Sequence, residues 1–160
     1  MSETTENTQE IKFQSTRFGE VVVPRDSIIE FPTGIIGFPK LHRYVMLEHQ
    51  APFSWLHCID DPNLAFVVVD AMEFGEGYNV QPPFGDRNID LKEDDEYAIL
   101  VIVTIRREPG ITTANLKAPV FVNIRNRKGI QVIFDDSRLS TRHPFWKTDD
   151  KGEVNQEEQK

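Results

Sequence analysis

The sequence has almost no cysteine, since Cys58 is the only one among 160 residues. A single thiol excludes an internal disulfide and is typical of proteins that fold in a reducing compartment. No apolar run reaches the roughly 18 residues that a transmembrane helix needs. The N-terminal stretch MSETTENTQE lacks the basic and apolar regions of a secretory signal. We therefore expect a cytoplasmic protein without a membrane span.

Dense basic stretches are equally scarce. The chain carries 18 Lys and Arg against 26 Asp and Glu, which gives a net charge of −8. Its densest basic stretch is Arg125, Arg127 and Lys128, and the following Gly129 makes a solvated hairpin turn the simpler interpretation. Binding to a phosphate backbone requires clustered Lys and Arg. The sequence thus argues against direct binding to nucleic acid.

The two ends of the chain hold much of the acidic excess. Residues 1–10 contain three acidic residues and no basic one, and residues 147–160 contain five acidic residues against three lysines. Large apolar side chains are almost missing from both ends, so burial cannot offset the entropy lost on ordering. We expect two disordered tails, at 1–10 and 147–160, around one domain at 11–146.

Between the predicted tails lie short strand-like runs separated by Pro, Gly, Asn and Asp. Ile11 and Phe13 alternate with polar residues, which is the period of a half-buried strand. The runs Leu64–Val69 and Ala98–Ile105 are almost continuously apolar, as in strands that are covered on both faces. The remaining predicted strands are Arg17–Val23, Asp26–Phe31, Tyr44–Glu48, Phe53–Ile59, Val120–Ile124 and Ile130–Phe134. The last two form a hairpin around the loop Arg125–Gly129, in which we expect Gly129 at positive φ.

Helical signals are weak. One turn of helix is suggested at Phe38–Tyr44 and another at Asn88–Glu96, but neither shows an apolar stripe over three turns. Ten prolines and nine glycines are spread among the short strands. The sequence predicts an all-β, single-domain antiparallel barrel or sandwich with little helix.

Metal binding is not indicated. The four histidines, His42, His49, His57 and His143, are too far apart along the chain for two rings to share an ion by local spacing. Cys58 adjoins His57, but neighbours on a strand point to opposite faces. We expect no metal and no cofactor.

Catalytic motifs are also missing. The sequence contains no G-x-S-x-G, P-loop or G-x-G-x-x-G pattern. The acidic pairs Asp60–Asp61, Asp94–Asp95 and Asp135–Asp136 each stand beside a strand end, where Asp stabilises turns. A binding protein is therefore favoured over an enzyme. The alternatives are a barrel that binds a small ligand and, less favoured, a hydrolase whose dyad is assembled by the tertiary fold.

The longest stretch without a strand signal is Glu73–Glu96. Loops of that length in a compact domain are usually functional or partly helical. This stretch presents three aromatic residues, Phe74, Tyr78 and Phe84, and ends near the acids Asp94 and Asp95. Such a loop can offer aromatic anchors to a partner whose binding surface is apolar and bordered by basic residues. We predict that these five residues bind a protein partner, the alternative being that the aromatics serve only the core.

Several motifs occur together and in a fixed order. The stretch 28–38, IIEFPTGIIGF, is an apolar strand that runs into an F-P-x-G-(I/L)-x-G-F pattern. The others are PFSWL at 52–56, IDDPNLAF at 59–66, IVTI at 102–105, TANLKAP at 113–119, VN at 122–123 and KGIQV at 128–132. Together they cover about residues 11–136 and resemble the FliW family of flagellar assembly factors. The chain departs from the family pattern at Ile36, where members commonly have proline, and at 71–74, where they often have proline and another aromatic.

The resemblance implies a fold and a function. The family fold is a small antiparallel β-barrel. Members are understood to bind two proteins: flagellin, and the translational repressor CsrA, which blocks flagellin messenger RNA. Free flagellin occupies the FliW protein and releases CsrA to repress translation, and export of flagellin returns the FliW protein to CsrA. Binding to CsrA is described for the family as allosteric. We expect the chain to be monomeric alone.

Overall fold

Alternating apolar and polar residues build a structure of short strands. The computed structural model describes residues 9–105, 111–148 and 154–155, and these contain no α-helix. The first six strands are β1 (Glu10–Ser15), β2 (Gly19–Pro24), β3 (Ile29–Glu30), β4 (Arg43–Glu48), β5 (Phe53–Cys58) and β6 (Ala65–Asp70). The other six are β7 (Tyr97–Thr104), β8 (Ile111–Ala114), β9 (Val120–Asn123), β10 (Lys128–Gln131), β11 (His143–Thr148) and β12 (Val154–Asn155). Two short 3₁₀ turns cover Arg25–Ser27 and Ala71–Phe74.

Seven of the strands close into a barrel, which confirms the predicted fold class. The ring runs β7-β6-β5-β4-β3-β10-β9 and returns to β7, because the first half of β7 also pairs with β9. Six neighbouring pairs are antiparallel, whereas β10 and β3 meet in parallel at Lys128 and Glu30. Strict alternation of direction is possible only in a ring with an even number of strands. A ring of seven therefore needs this one parallel contact.

Side chains fill the interior of the barrel. Inward-facing residues alternate with outward-facing ones along each strand, as the strand period requires. On β7, for example, Leu100 faces the interior while Val101 packs outside. The buried interior residues are Ile29, Phe31, Ile35, Tyr44, Leu56, Cys58, Val68, Leu100, Val120 and Val122.

Gly129 corrects one prediction from the sequence. It was expected at positive φ in the hairpin loop, but it lies within β10, and the residue at positive φ in this turn is Arg127 (φ 57°). A Cβ atom at Gly129 would lie 2.6 Å from Cε2 of Phe31. The glycine is needed because the ring of Phe31 packs directly on the β10 backbone.

Three apolar clusters cover the outside of the barrel. The hairpin cluster joins β1 and β2 to β4, with Phe13, Val23 and Val45 buried. The β11 cluster packs Phe145 and the chain after β6 against Val101 and Val103. The loop cluster packs the chain at 80–91 against Phe121 and Ile130. The predicted double-sided burial of β6 and β7 follows from these outer layers.

Strands also extend beyond the ring. The second half of β7 pairs with β8, β8 pairs with β11, and β11 pairs with β12. Lys147, Thr148, Val154 and Asn155, all assigned to the C-terminal tail from the sequence, are paired in β11 and β12, and Glu10 begins β1. Gln9 accepts at its carbonyl from the Arg25 N–H. The rest of both predicted tails lies outside the described residues, so the prediction that they are disordered stays a prediction.

Neither suggested helical turn forms. Phe38 forms an isolated β-bridge with Ile35, residues 39–42 are turn and irregular chain, and Arg43 already belongs to β4. Residues 88–96 form turns, because aspartate side chains accept hydrogen bonds from the backbone: Asp86 from the Asn88 N–H and Asp95 from the Lys92 N–H. Across the described ranges, no helix has the length and apolar character needed to cross a bilayer.

Candidate partner-binding surface

The segment Glu73–Glu96 does not project from the barrel but runs along its outer surface. Its first part is held by aromatic contacts in the β11 cluster. The ring of Phe74 lies 4.7 Å from that of Phe145 and 5.9 Å from that of Tyr78, measured between centroids. The Tyr78 hydroxyl donates a hydrogen bond of 2.8 Å to the Leu116 carbonyl, and burial raises the pKa of Tyr78 to about 12. Both aromatic residues are half-buried.

Phe84 holds the next part of the segment in a different cluster. It is half-buried and packs with the fully buried Ile89 and Leu91 on the outside of β9. Its ring meets that of Tyr97 edge-on, with 6.1 Å between centroids. Tyr97 is 39% exposed, so Phe84 connects the loop cluster to the solvent-facing start of β7.

Asp95 has a structural partner in the turn between β9 and β10. Both of its carboxylate oxygens accept from Arg125, Oδ1 from Nε and Oδ2 from Nη2, each at 3.0 Å. The side chain of Asp95 is 10% exposed. The bond from Arg125 lowers the pKa of Asp95 to about 2. The neighbouring Asp94 is exposed.

Amide side chains fix the same part of the segment to the barrel. Nδ2 of the buried Asn123 donates to the Ile89 carbonyl at 2.8 Å, and Nδ2 of Asn126 donates to the same oxygen at 2.9 Å. Arg125 adds a bond of 2.6 Å from Nη2 to the Asp90 carbonyl. The chain at 89–95 is thus a rigid attachment rather than a free loop.

The structure separates the five predicted residues into two groups. Phe74 and Tyr78 lie over β8 and β11, and Phe84, Asp94 and Asp95 lie beside the start of β7 and the end of β9. Three of the five, the aromatics, pack against the barrel, which the sequence could not distinguish from exposed anchors. Whether any of them contacts a partner stays a prediction.

A solvent-facing strip next to the second group was missed by sequence reasoning. The Ile124 N–H donates to the Glu96 carbonyl, which places Ile124 beside the start of β7. Tyr97 and Ile124 are the exposed apolar residues here, and Ile124 is 38% exposed. The acids around them, Glu93, Asp94 and Glu96, are exposed as well. We call these five residues the acidic strip. Its sequence signal was the run of acids immediately before a continuously apolar strand.

The described residues bring together no metal-binding cluster. No group of three or more His, Cys, Asp or Glu side chains that could hold a metal ion is found in 9–105, 111–148 and 154–155. Cys58 is buried in the barrel interior, and burial raises the pKa of its thiol, which opposes formation of a nucleophilic thiolate. Its neighbour His57 is buried on the outer side, where Nε2 meets Oγ of Ser15 at 2.8 Å. The barrel interior, where a small ligand would sit, is packed with side chains.

Comparison with known proteins identifies the family. Residues 12–145 match the family model described as FliW protein. The chain is 39% identical over 140 residues to the flagellar assembly factor FliW of Natranaerobius thermophilus, covering 85% of this chain and 93% of the relative. It is 36% identical over 144 residues to that of Geotalea uraniireducens, covering 88% of each. A crystal structure of the flagellar assembly factor FliW superposes with a TM-score of 0.73 at 28% identity, covering 84% of this chain and 96% of the other.

Proposed function

This chain belongs to the FliW family of flagellar assembly factors, and from that premise we propose that it is a cytoplasmic, non-enzymatic regulator that binds two proteins in turn. One partner is the translational repressor CsrA, which the chain sequesters by an allosteric contact. The other is flagellin. Competition between the two couples flagellin translation to flagellin export.

The observation that carries this proposal is the extent of the family match. The matched residues, 12–145, begin within β1 and end within β11, so they include the whole closed ring.

Such a switch limits the affinities of both complexes. Flagellin can displace CsrA by mass action only if the two complexes have comparable free energies at cellular concentrations, because about 1.4 kcal/mol already changes occupancy tenfold. Interfaces of moderate size with a few dominant residues satisfy this condition.

We place one partner contact on the segment Glu73–Glu96 and the acidic strip beside it. A repressor that binds RNA exposes basic surfaces, and complementary charge accelerates encounter. The exposed Asp94, Glu93 and Glu96 supply that charge, and Tyr97 and Ile124 supply exposed apolar area. In this arrangement Asp95 and the aromatics Phe74, Tyr78 and Phe84 hold the segment in the shape that the partner meets.

The two departures from the family pattern are exposed and therefore open to partners. Ile36, in place of the common proline, is 52% exposed, and Met72 in the 71–74 stretch is 81% exposed. Either residue can alter partner affinity or partner choice.

Isothermal titration calorimetry of the purified chain tests the proposal. We expect saturable binding of purified CsrA in one titration and of purified flagellin in another, with dissociation constants within about tenfold of each other. An unrelated acidic protein of similar size is the negative control. A folded chain that binds neither protein would refute the proposal.

A further inference from the structure

A surface of aromatic and cationic side chains lies at the turn between β1 and β2. Phe18, at the tip of this turn, is 42% exposed. Its ring meets Trp55 on β5 edge-on, with 5.9 Å between centroids. Around the ring, β5 is separated from β9 by β6 and β7 on one side and by β4, β3 and β10 on the other. The acidic strip also includes Tyr97 on β7, which only β6 separates from β5. The strand register places Trp55 level with Val67 and Val103, and Val103 lies six residues along β7 from Tyr97, or about 20 Å. This turn is therefore distant from the acidic strip.

Trp55 is the centre of this surface. The Arg17 guanidinium carbon lies 4.4 Å from the centroid of the indole ring, in a cation–π contact. The imidazole of His49 stacks on the same side chain with 4.9 Å between centroids and 21° between planes. Trp and Arg are the residue types that most often dominate binding energy at protein interfaces.

A buried hydrogen-bond network holds the turn in one shape. Oγ of Ser15 accepts from the backbone N–H groups of Arg17 and Phe18, at 3.1 and 3.0 Å. The same hydroxyl meets Nε2 of the buried His57 at 2.8 Å. A surface that is already ordered loses little conformational entropy on binding, so a partner that binds this turn would meet a low entropic cost.

A cleft of about 300 Å³ opens beside the turn. Its lining residues are Thr16, Arg17, His57, Pro62, Asn63 and Ala65. The nearby carboxylate of Asp61 accepts from the Asn63 N–H, and that of Asp60 is paired with Arg43. Within the described ranges, no carboxylate lies in ion-pair contact with Arg17. Among the lining residues, Arg17 is the cation that an incoming carboxylate would meet, while the Asp61 carboxylate beside the cleft keeps its negative charge.

We infer that Arg17, Phe18, Trp55 and the adjoining cleft form a docking surface for a protein segment that inserts an apolar side chain and presents a carboxylate to Arg17. This inference rests on the proposed function and extends it. The acidic strip suits the basic repressor, whereas Arg17 repels a basic partner. We therefore assign this surface to flagellin.

Single-stranded RNA is the other occupant that an aromatic and cationic surface can take. The geometry favours protein because His49 and Arg17 already contact the indole of Trp55 and would have to move before a base could stack in their place. Arg17 is also a single cation, and tracking of a phosphate backbone needs several.

Charge reversal at Arg17 tests the assignment. We would titrate the full chain and its variants Arg17→Glu and Phe18→Ala with purified flagellin, with purified CsrA and with a uridine oligonucleotide. Arg25→Glu, an exposed arginine just after the same hairpin, is the matched control. Thermal unfolding of each variant establishes that it is folded.

We expect Arg17→Glu and Phe18→Ala each to weaken flagellin binding by roughly tenfold or more, with CsrA binding unchanged and Arg25→Glu matching the wild type. Wild-type affinity for flagellin in both folded variants would overturn the inference while leaving the proposed function intact. A loss of affinity for CsrA instead, or RNA binding that Arg17→Glu abolishes, would overturn the assigned occupant. A folded wild-type chain that binds neither flagellin nor CsrA would refute the proposed function itself.

Discussion

At the scale of single residues, Gly129 shows how tightly the barrel interior is packed. A Cβ atom there would lie 2.6 and 2.7 Å from two carbons of the Phe31 ring. Phe31 is fully buried, so the ring has little room to move. We expect Gly129→Ala to reduce the free energy of unfolding by about 1–3 kcal/mol, the usual cost of overpacking. Urea denaturation followed by circular dichroism measures this.

Gly77→Ala is the matched control for that substitution. A Cβ atom at Gly77 meets nothing within 4 Å. We expect it to leave stability unchanged within about 0.5 kcal/mol. Equal unfolding midpoints for the two alanine variants would show that the contact between Gly129 and Phe31 does not limit packing.

Ser15 is a second residue with a measurable structural role. Its hydroxyl forms hydrogen bonds with the imidazole of His57 and with the backbone N–H groups of Arg17 and Phe18. Ser15→Ala leaves the buried imidazole nitrogen without its partner, and we expect a loss of about 1–3 kcal/mol in stability. Chemical denaturation should show this loss, with the exposed Ser137→Ala as the control. A stability equal to that of the control would mean that the network does not hold the hairpin.

At the scale of elements, the attachment of residues 89–95 depends on pH. The folded-state pKa of Asp95 is about 2, below its ordinary value of 3.8, because Arg125 donates to it. A carboxylate with a lowered pKa contributes stability that is fully present above the unfolded value and is lost as pH falls toward the folded value. We expect the stability difference between the wild type and Asp95→Asn to be largest above about pH 4 and to shrink between pH 4 and pH 2.

The control for that pH series is Asp94→Asn, which changes an exposed carboxylate in the same turn. Thermal unfolding from pH 2 to pH 6 should show the pH-dependent difference for Asp95 and none for Asp94. A difference at Asp95 that stays constant across this range would contradict the assigned ion pair.

Alanine variants in the long segment should lower stability, whereas an alanine variant at the exposed Tyr97 beside it should lower binding. Tyr78 and Phe84 are half-buried in packed clusters, so we expect their alanine variants to cost about 2–4 kcal/mol of stability. Tyr97 is exposed, and we expect Tyr97→Ala to weaken CsrA binding by about 1–3 kcal/mol with little change in stability. Paired unfolding and calorimetric measurements on the same variants decide this. Unchanged CsrA affinity in a folded Tyr97→Ala variant would move the proposed contact away from the acidic strip.

Local pattern predicted most of these elements. The strand β6 was expected at Leu64–Val69 and occurs at Ala65–Asp70, because a continuous run of β-branched and apolar residues leaves little ambiguity. The placement of Tyr78 and Phe84 could not be predicted in the same way. Their packing partners Phe145 and Phe121 lie far along the chain, so only the tertiary fold decides whether these rings are anchors or core. The same limit applies to Gly129. The ring that leaves no room for a Cβ atom there belongs to Phe31, which is distant along the chain.

At the scale of the whole molecule, the barrel carries two chemically different surfaces. Its interior is packed, and three outer clusters attach the hairpin, the long segment and β11 to it. One surface is acidic with exposed Tyr97, and the other is aromatic with Arg17, which lies over the ring of Trp55. Two partners bound at different surfaces of one barrel exclude each other only if the bound proteins overlap beyond their contact residues, or if binding at one surface changes the affinity of the other.

Release and recapture of RNA tests the proposed function most directly. A fluorescent flagellin messenger RNA leader is bound to purified CsrA, the purified chain is added, and flagellin is then added while fluorescence anisotropy is recorded. We predict that the chain lowers the anisotropy by drawing CsrA from the RNA and that flagellin restores it. Anisotropy that the chain leaves unchanged, or that flagellin fails to restore, would contradict the proposed switch.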